Sequence, residues 1–309
     1  MLPFQFVHHP DYDFCLGNHV FESAKYHLTR QQLLQDGFAE EADFLQPGSA
    51  LDEDLTLVHT REWIRRLRSG LLTREEEKLL EIPYTDQVVR AFWLHAGGSM
   101  LAARLALRDG LAYNIGGGFH HAYPGHGEGF CAINDIAVAI RRVQKDGFIR
   151  SAMVVDCDVH HGNGTAAIFE NDPTVSTFSI HQANNYPDDK PPSTVDVDLD
   201  DEVDDEEYLH RLREALLPAL ALHKPDLIFY VAGADPHWKD QLGGLRLTMD
   251  GLMRRDRLVL DAAIRAATPV AIVLAGGYSQ DVRDTVNIHC NTARAARDAM
   301  ALRTSSPVE

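Results

Sequence analysis

A short apolar run that ends in a dense polar cluster is the feature that most restricts the fold of this chain. The run, residues 151–155, reads Ser-Ala-Met-Val-Val and is short enough for a buried strand of a parallel sheet. The cluster that follows, residues 156–164, contains two aspartates, two histidines and two glycines. In open α/β sheets, ligands bind beyond the carboxyl ends of the strands. The stretch therefore predicts an α/β fold with a functional site at the end of this strand.

The side chains of this cluster suit a metal ion. Residues two apart on a strand share a face, so Asp156, Asp158 and His160 project together where the extended geometry continues. Carboxylates and imidazoles that converge on one point favour a divalent transition metal, and Zn²⁺ is the first candidate. Gly162 and Gly164 allow the backbone to turn tightly beside it. A helix N-cap is the alternative, but capping does not require this many histidines and aspartates.

The remainder of the chain alternates apolar segments with amphipathic ones, which predicts a largely parallel sheet flanked by helices. Residues 91–108 predict a long helix, and residues 55–59 predict a short strand. Because no linker or internal repeat is present, residues 1–302 are expected to form one domain, followed by a disordered tail over residues 303–309. Strands whose ends carry polar or glycine-rich residues are predicted to finish at Ile115, Val155, Val231 and Leu274.

Composition narrows the class of protein. The chain has 309 residues, of which 45% are hydrophobic, enough for one large α/β domain. A run of about 18 apolar residues, as a membrane span requires, is absent. The net charge of −17 opposes direct binding to nucleic acid. The four cysteines form no CxxC pair, and the N-terminus does not resemble a signal peptide, which together favour a cytoplasmic protein.

The predicted strand ends together supply the groups of a hydrolytic site. Three protein ligands would leave coordination positions for water and substrate, an arrangement that serves amide hydrolysis. A histidine can move a proton from the water to the leaving amine, and a tyrosine can donate to the oxyanion. The lone histidines His19 and His59 could also reach the site, although such residues are more often structural. The candidates are Asp158, His160 and Asp235 for the metal, His120 and His121 for acid–base chemistry, and Tyr278 as the hydroxyl donor.

These motifs resemble, in order and spacing, those of the zinc-dependent histone deacetylase family, which includes acetoin-utilisation proteins and acetylpolyamine amidohydrolases. The resemblance extends from His19 to Tyr278 and implies a three-layer, arginase/deacetylase-like α/β fold. The motifs that carry it are residues 117–122, 156–164, 233–235 and 276–278. The features most similar to the class IV branch and its bacterial relatives are residues 117–121, 129–131, Asn163 and residues 240–245.

The resemblance implies a catalytic role for each matching residue. Asp158, His160 and Asp235 would hold one Zn²⁺ ion per chain. His121 would be the general base and acid, and His120 would polarise the water and the oxyanion. Asp156 would orient His120, and Tyr278 would stabilise the tetrahedral intermediate. Asn163 stands where class I members have an aspartate behind the second histidine, and an amide cannot stabilise an imidazolium as a carboxylate does.

The resemblance also implies binding sites for the substrate and for a second cation. The substrate would be an acyl-lysine protein or peptide, with an acetyl or longer fatty acyl group, or an acylated small amine. The residues that match the family's acyl-lysine tunnel are Gly129, Phe130, Tyr186 and Leu242. A structural K⁺ would be bound by the backbone carbonyls of Asp156, Asp158 and His160, together with Ser179 and Ile180.

Three alternatives to a lysine deacylase remain. An acylpolyamine or other small-molecule amide deacylase would belong to the same family. An arginase-like ureohydrolase would use two Mn²⁺ ions and a further carboxylate after the cluster histidine, where this chain has His161, Gly162 and Asn163. A metal-stabilised binding module without catalysis is the third, and the presence of both histidines and Tyr278 argues against it.

Overall fold

Eight parallel strands form one sheet at the centre of the protein. The computed structural model describes residues 2–14 and 16–305. Within them the strands are β1 (Gln5–Val7), β2 (Phe44–Leu45), β3 (Leu111–Asn114), β4 (Ala152–Asp156), β5 (Val175–Gln182), β6 (Val195–Leu199), β7 (Ile228–Val231) and β8 (Val270–Val273). Their order across the sheet is β2-β1-β3-β8-β7-β4-β5-β6. The predicted α/β fold with a largely parallel sheet is confirmed.

Helices connect the strands, and the longest agree with the sequence pattern. The predicted helix over residues 91–108 lies within α5, which begins where the Thr85 hydroxyl accepts from Val88 N and ends at Gly110 with φ 95°. No helix in the described part of the chain is long and apolar enough to cross a membrane. The α-helices are α1 (Ala24–Gln35), α2 (Asp52–Leu55), α3 (Arg61–Ser69), α4 (Arg74–Leu80), α5 (Asp86–Asp109), α6 (Asp135–Lys145), α7 (Asn163–Phe169), α8 (Asp205–His223), α9 (Met249–Arg265) and α10 (Val282–Ser305).

Side chains that alternate along the central strands fill two hydrophobic cores. In β4, Met153 and Val155 enter one core and Val154 enters the other, because successive side chains on a strand point to opposite faces. The first core includes side chains of α9 and α10, and the second includes those of α5 and α6. The sheet is therefore the middle of three layers, buried on both faces as an all-parallel sheet requires.

The segment before α3 differs from its prediction. The strand expected over residues 55–59 is wrong: α2 ends at Leu55, and the following residues form turns in which the N–H of Val58 and that of His59 donate to Leu55 O. The Asp54 carboxylate accepts from Leu51 N at 3.1 Å and fixes the helical turn. Acidic residues at 52–54 favour a helix N-terminus, and this local preference outweighs the apolar alternation that follows.

The acidic segment in the C-terminal half has the structure that its sequence predicts. The acidic stretch 196–207 forms β6 and the start of α8, where the Asp204 carboxylate accepts from Glu206 N and Glu207 N at 3.1 Å. This agrees with a strand followed by a helix whose first turn is acidic.

At the end of the chain, α10 continues to Ser305, so the predicted tail begins too early. Residues 306–309 of that tail lie outside the described residues.

The sheet order brings the predicted functional segments together. The four strands whose ends carry polar or glycine-rich residues are β3, β8, β7 and β4, and these are neighbours at the centre of the sheet. Because all of them run parallel, their carboxyl ends lie at one edge. The fold therefore concentrates the candidate chemistry at a single place.

Candidate active site

Asp158, His160 and Asp235 converge beyond the ends of β4 and β7. One ligand atom from each of these buried side chains lies within 4.8 Å of the others. The Nδ1 atom of His160 is 3.0 Å from Asp158 Oδ1 and 3.4 Å from Asp235 Oδ2. The three predicted ligands thus form one compact group of two carboxylates and one imidazole, a donor set that suits a divalent transition metal.

The backbone holds both carboxylate oxygens of Asp158 but only one of Asp235. Val159 N donates to Asp235 Oδ1 at 2.9 Å, and Gly276 N donates to Asp158 Oδ2 at 2.8 Å. The other Asp235 oxygen, Oδ2, is buried without a hydrogen-bond partner, which is costly unless a cation binds there. Burial and the neighbouring Asp158 raise the pKa of Asp235 to about 7, and a bound cation would favour its ionised form. These residues fit a metal ion.

A glycine turn after β3 delivers the two adjacent histidines to the same edge. Gly117 and Gly118 have φ of 70° and 90°, which side chains with a Cβ rarely adopt. A Cβ on Gly118 would also lie 2.6 Å from the Ala275 backbone. The Asp135 carboxylate accepts from Phe119 N at 2.8 Å and holds the turn in place. Glycine is therefore required here for both its backbone conformation and the close approach to the β8 segment.

His120 is paired with a carboxylate. Its Nδ1 atom lies 2.7 Å from Asp156 Oδ2, and its Nε2 atom lies 3.8 Å from Asp158 Oδ1. Burial lowers the pKa of His120, but the carboxylates of Asp156 and Asp158 outweigh this effect and raise the pKa to about 9. This imidazole therefore favours its cationic form.

His121 is paired with an amide instead. Its Nδ1 atom lies 2.7 Å from Asn163 Oδ1, so the predicted contact between these residues is present. Its Nε2 atom lies 3.1 Å from His120 Nε2. Burial, together with the neighbouring His120 and His160, lowers the pKa of His121 well below its ordinary value. Two adjacent histidines thus have pKa values moved in opposite directions, the arrangement that separates a base from a cationic partner.

Tyr278 follows β8 and lies beside the predicted metal ligands. Its ring centroid is 6.4 Å from that of His160, and its backbone N–H donates to Asp240 Oδ2 at 2.6 Å. Burial, with the charge of Asp158, raises the pKa of the phenol well above its ordinary value, so the hydroxyl keeps its proton. The hydroxyl is therefore available as a hydrogen-bond donor at the site.

A buried lysine lies beneath this tyrosine. The Lys25 ammonium donates to Ala275 O at 2.8 Å and lies 5.2 Å from the centroid of the Tyr278 ring. Burial lowers the pKa of Lys25 to about 8, although the nearby carboxylates, Asp235 first, oppose this change. Lys25 is not among the residues predicted from sequence, because polar and apolar residues of α1 do not separate into faces that would show which side is buried.

The four predicted tunnel residues meet at one cavity. Gly129, Phe130, Tyr186 and Leu242 line a cavity of about 150 Å³. His121, His160 and Tyr278 also belong to its wall. The Tyr186 ring stands at 88° to the His121 ring, with centroids 4.9 Å apart. The cavity therefore joins mainly apolar walls to the polar groups of the candidate site, as a binding site for an alkyl chain with a reactive polar end requires.

Glu128 is a site residue that the sequence did not reveal. Its Oε1 atom accepts from Asn163 Nδ2 at 2.5 Å and from the Tyr186 hydroxyl at 3.1 Å, and its Oε2 atom lies 3.2 Å from His126 Nε2. Burial favours the neutral carboxyl, but the hydrogen bonds from these three side chains lower the pKa of Glu128. Glu128 lies in a loop without periodicity, and only its nearness to a glycine could have drawn attention to it.

The predicted potassium ligands lie on two neighbouring strands, β4 and β5, and in the segment directly after β4. Asp156 of β4 pairs with Ser179 of β5, and Ile180 follows directly. A second group of possible ligands lies close by, since His161, His181 and Asp196 have ligand atoms within 4.8 Å of one another. Each histidine of this second group has one local contact: His161 Nε2 lies 3.2 Å from Asp196 Oδ1, and His181 Nδ1 lies 3.0 Å from Ser179 Oγ.

The two lone histidines have different surroundings from the paired ones. Nδ1 of His59 lies 3.0 Å from Tyr123 O, and its Nε2 accepts from Asn134 N at 3.0 Å, so both ring nitrogens are held by the backbone. His19 Nε2 lies 2.9 Å from Glu81 O. Both contacts agree with the structural interpretation of these residues.

Known proteins are similar to this chain in sequence and in fold. A family model described as histone deacetylase domain matches residues 19–293. An uncharacterized protein of Picosynechococcus sp. is 43% identical over 96% of this chain and 99% of its own length. Histone deacetylase 2 of Arabidopsis thaliana is 33% identical, with 84% of this chain and 70% of its own covered. Acetoin utilization protein AcuC of Bacillus subtilis is 30% identical, with 79% and 69% covered.

A solved structure supports the same fold. The crystal structure of the HDA15 HD domain superposes with a TM-score of 0.79 and 23% identity, covering 99% of this chain and 90% of that one. The predicted resemblance to the histone deacetylase family is thus confirmed by the family match and by the relatives. With a match over most of its length, the chain belongs to the histone deacetylase family of metal-dependent hydrolases.

Proposed function

We propose that this protein is a zinc-dependent amidohydrolase that removes acyl groups from lysine side chains. One observation carries the proposal: a narrow cavity of about 150 Å³ is lined by the neutral His121, the ligand His160 and the phenol of Tyr278. A base, a metal-binding group and an oxyanion donor thus share one small space. That combination serves hydrolysis of an amide at the end of a linear side chain.

The residues divide the work of hydrolysis between them. When bound, a divalent metal held by Asp158, His160 and Asp235 supplies a Lewis acid for the amide carbonyl and the attacking water. His121 accepts the proton of that water at Nε2 and returns it to the leaving amine. Its Nδ1–H points to Asn163, which leaves Nε2 as the basic atom.

Two further side chains stabilise the charge that develops. His120, whose pKa is raised to about 9, places a positive charge 3.1 Å from His121 Nε2 while Asp156 fixes its orientation. The Tyr278 hydroxyl donates a hydrogen bond to the carbonyl oxygen as it becomes negative. Because burial keeps this phenol protonated, it can donate over the whole working pH range.

The cavity favours a linear substrate. Phe130 and Leu242 offer apolar surface to the methylene groups of a lysine side chain, and Tyr186 adds an aromatic wall. Phe130 has φ of 68°, so the backbone turns sharply where this wall begins. The resemblance to the class IV branch and its bacterial relatives supports acetyl or longer fatty acyl groups as the part that is removed.

An acylated polyamine is a second candidate substrate. Glu81 also lines the cavity, and the chain carries a net charge of −17. A second amine on the substrate would be attracted to this negative surface. A lysine peptide has an uncharged backbone where an acylated polyamine has its second amine. Turnover of the two kinds of substrate therefore separates the two classes.

Two further expectations accompany this function. We expect a structural K⁺ ion near the carboxyl ends of β4 and β5, bound by the backbone carbonyls of Asp156, Asp158 and His160, together with Ser179 and Ile180. We also expect residues 1–302 to act as one catalytic unit. Retention of K⁺ after extensive dialysis into sodium buffer, measured by elemental analysis, checks the first expectation.

A panel of substrates tests the proposed function. The zinc-loaded protein is offered acetyl-, crotonyl-, octanoyl- and myristoyl-lysine peptides, acetylpolyamines and, with Mn²⁺, guanidino compounds. We expect turnover of at least one acyl-lysine peptide, loss of that turnover with a chelator, and its return with one equivalent of Zn²⁺. A folded, zinc-loaded protein that hydrolyses none of the acyl-lysine peptides would contradict the proposal.

A further inference from the structure

We infer that Glu128 is a positioning residue that sets the direction of the hydrogen bonds reaching His121. The inference rests on the proposed function, because it concerns the base of that reaction. His121 Nδ1 lies 2.7 Å from Asn163 Oδ1, and Asn163 Nδ2 donates to Glu128 Oε1 at 2.5 Å. The three side chains therefore form one chain of hydrogen bonds that ends in a carboxylate.

The carboxylate gives this chain a single direction. An asparagine amide can be turned over, so that its oxygen and its NH₂ group exchange places with little change in shape. An ionised carboxylate only accepts hydrogen bonds. Glu128 therefore requires the NH₂ group of Asn163 on its own side, which leaves the amide oxygen facing His121. The reverse orientation would place two oxygens 2.5 Å apart.

Two contacts decide which nitrogen of His121 carries the proton. One is the Asn163 oxygen at Nδ1, and the other is His120, whose Nε2 lies 3.1 Å from His121 Nε2 and favours the same tautomer. When the Asn163 oxygen faces Nδ1, that nitrogen must be protonated, and Nε2 keeps its lone pair. Were the amide reversed, its NH₂ group would donate to Nδ1 and the proton would move to Nε2. A ring protonated at Nε2 cannot take a proton from water at that atom. Glu128 thus acts on the base through Asn163.

Glu128 is itself held firmly enough for this task. The Tyr186 hydroxyl donates to Oε1 at 3.1 Å, and His126 Nε2 lies 3.2 Å from Oε2. The side chain is 14% exposed, so water competes little for these contacts. The Tyr123 phenol also interacts with the Asn163 side chain, and burial raises its pKa to about 12, which keeps it neutral. Glu128 is therefore the charged acceptor in this group.

The contact between Asn163 and Glu128 determines how an aspartate at position 163 would affect His121. The substitution Asn163→Asp alone would bring a second carboxylate to about the 2.5 Å that now separates Asn163 Nδ2 from Glu128. Two carboxylates at hydrogen-bond distance share a proton, so little of the added charge would remain for His121. The carboxylate and the amide of this pair can therefore change places only when both residues are substituted. A double substitution, Asn163→Asp with Glu128→Gln, restores an acceptor next to His121 and a donor behind it.

Four variants of the zinc-loaded protein test the inference: Glu128→Gln, Asn163→Asp, the double variant, and Glu77→Gln as a control. Glu77 is exposed on α4 and loses the same charge without contacting Asn163. In Glu128→Gln the new amide can itself turn over, so both directions of the chain become possible. We expect kcat to fall by about 10- to 100-fold with little change in KM, part of the roughly 10²–10⁴-fold that acid–base catalysis contributes.

The double variant supplies the decisive comparison. Asn163→Asp alone should also lower kcat, whereas the double variant should recover a kcat above that of either single variant, since matched partners are strongly non-additive. Glu77→Gln should match the wild type. A wild-type kcat in Glu128→Gln, or a double variant whose loss is the product of the two single losses, would overturn the inference.

Nitrogen chemical shifts test the inference without turnover. In protein labelled with ¹⁵N-histidine, the His121 ring, assigned with His121→Ala, should show a protonated Nδ1 and an unprotonated Nε2. In Glu128→Gln the chemical shifts of the two nitrogens should approach each other as both tautomers become populated. In the double variant the shifts should return to the wild-type values. Unchanged shifts in Glu128→Gln would overturn the inference. An enzyme without turnover would refute the proposed function and still leave this measurement valid.

Discussion

His121 and His59 are two buried histidines with the same type of contact at Nδ1 but with different surroundings at the second nitrogen. In each ring, Nδ1 lies within 3.0 Å of an amide-type oxygen, that of Asn163 or of Tyr123. In His59 the Nε2 atom accepts a backbone N–H at 3.0 Å, whereas in His121 it lies 3.1 Å from another imidazole and at the wall of a cavity.

The difference between these histidines shows what suits one of them to the proposed role of a base. Burial lowers the pKa of both, to about 4 for His59 and well below the ordinary value for His121. A low pKa therefore does not separate a catalytic histidine from a structural one. The separation lies in what contacts the lone pair on Nε2. In His59 it is a backbone N–H, whereas in His121 it is the His120 side chain at the wall of a cavity, where a substrate-bound water can replace that contact.

The largest effect is expected when the proposed metal site is disrupted, because His121 would act on the water that is activated there. Asp235→Ala deletes one of the three proposed metal ligands and the buried oxygen that has no hydrogen-bond partner among the described residues. We expect loss of the bound metal and of all turnover, while the circular dichroism spectrum remains that of the folded protein. The exposed Asp200→Ala is the control and should keep both. Full activity in Asp235→Ala would show that His121 does not act on a water activated at this site.

The direct comparison of the two histidines comes next. His121→Ala, with metal retained, should lower kcat by roughly 10²–10⁴-fold, because this residue moves a proton in both steps. His59→Gln should leave kcat per folded molecule near that of the wild type and should lower the free energy of unfolding instead. Both are measured on zinc-saturated protein, with unfolding followed in urea. An active His121→Ala would assign the base to His120, and an inactive but folded His59→Gln would break the comparison.

A smaller loss is expected at the oxyanion donor. Tyr278→Phe removes only the hydroxyl, so the metal should remain bound and KM should change little. The fall in kcat should be roughly 10²–10³-fold, the usual loss for one such donor, because the hydrogen bond matters most once charge has developed on oxygen. A wild-type kcat would mean that this hydroxyl meets only water, and that the aromatic ring is what the fold requires.

The strand ends could be predicted from sequence because their signals are local. An apolar run followed by a polar cluster fixes where residues 151–164 change from strand to site, and the parallel sheet then places β3, β8, β7 and β4 side by side. Glu128 and Lys25 gave no such signal. Their functional contacts, with Asn163 and Ala275, join residues 35 and 250 positions apart, which no local period encodes.

The wrong strand over residues 55–59 shows the opposite case. There the apolar alternation is real, but the Asp54 carboxylate accepts from the backbone N–H of Leu51 and fixes a helical turn first. Local capping chemistry therefore prevailed over the two-residue period. The same stretch ends at His59. Its two backbone contacts, with Tyr123 O and Asn134 N, lie 64 and 75 residues further along the chain, so the residues next to His59 could not predict them.

The smallest expected effect is the acid sensitivity that His59 gives to the fold. Its Nε2 accepts the Asn134 N–H, so protonation must break that contact, and its pKa is lowered from 6.5 to about 4 by burial. Well above pH 6.5, the ordinary pKa of histidine, the ring is neutral whether the chain is folded or not. As the pH falls from there towards 4, the unfolded chain binds a proton that the folded protein excludes, so stability decreases. At about pH 5 the loss is about 2 kcal/mol, from 1.36 kcal/mol per pKa unit.

Urea unfolding of wild-type protein and of His59→Gln, at about pH 7.5 and about pH 5, measures this contribution. The variant is expected to be less stable at both pH values, because a buried contact is lost, yet to lose about 2 kcal/mol less on acidification than the wild type does. His210→Gln, on the exposed face of α8, should follow the wild type at both. Equal pH dependence in His59→Gln and the wild type would mean that the His59 lone pair is free to bind a proton. His59 and His121 would then not differ in the property that we hold to separate a structural histidine from a base.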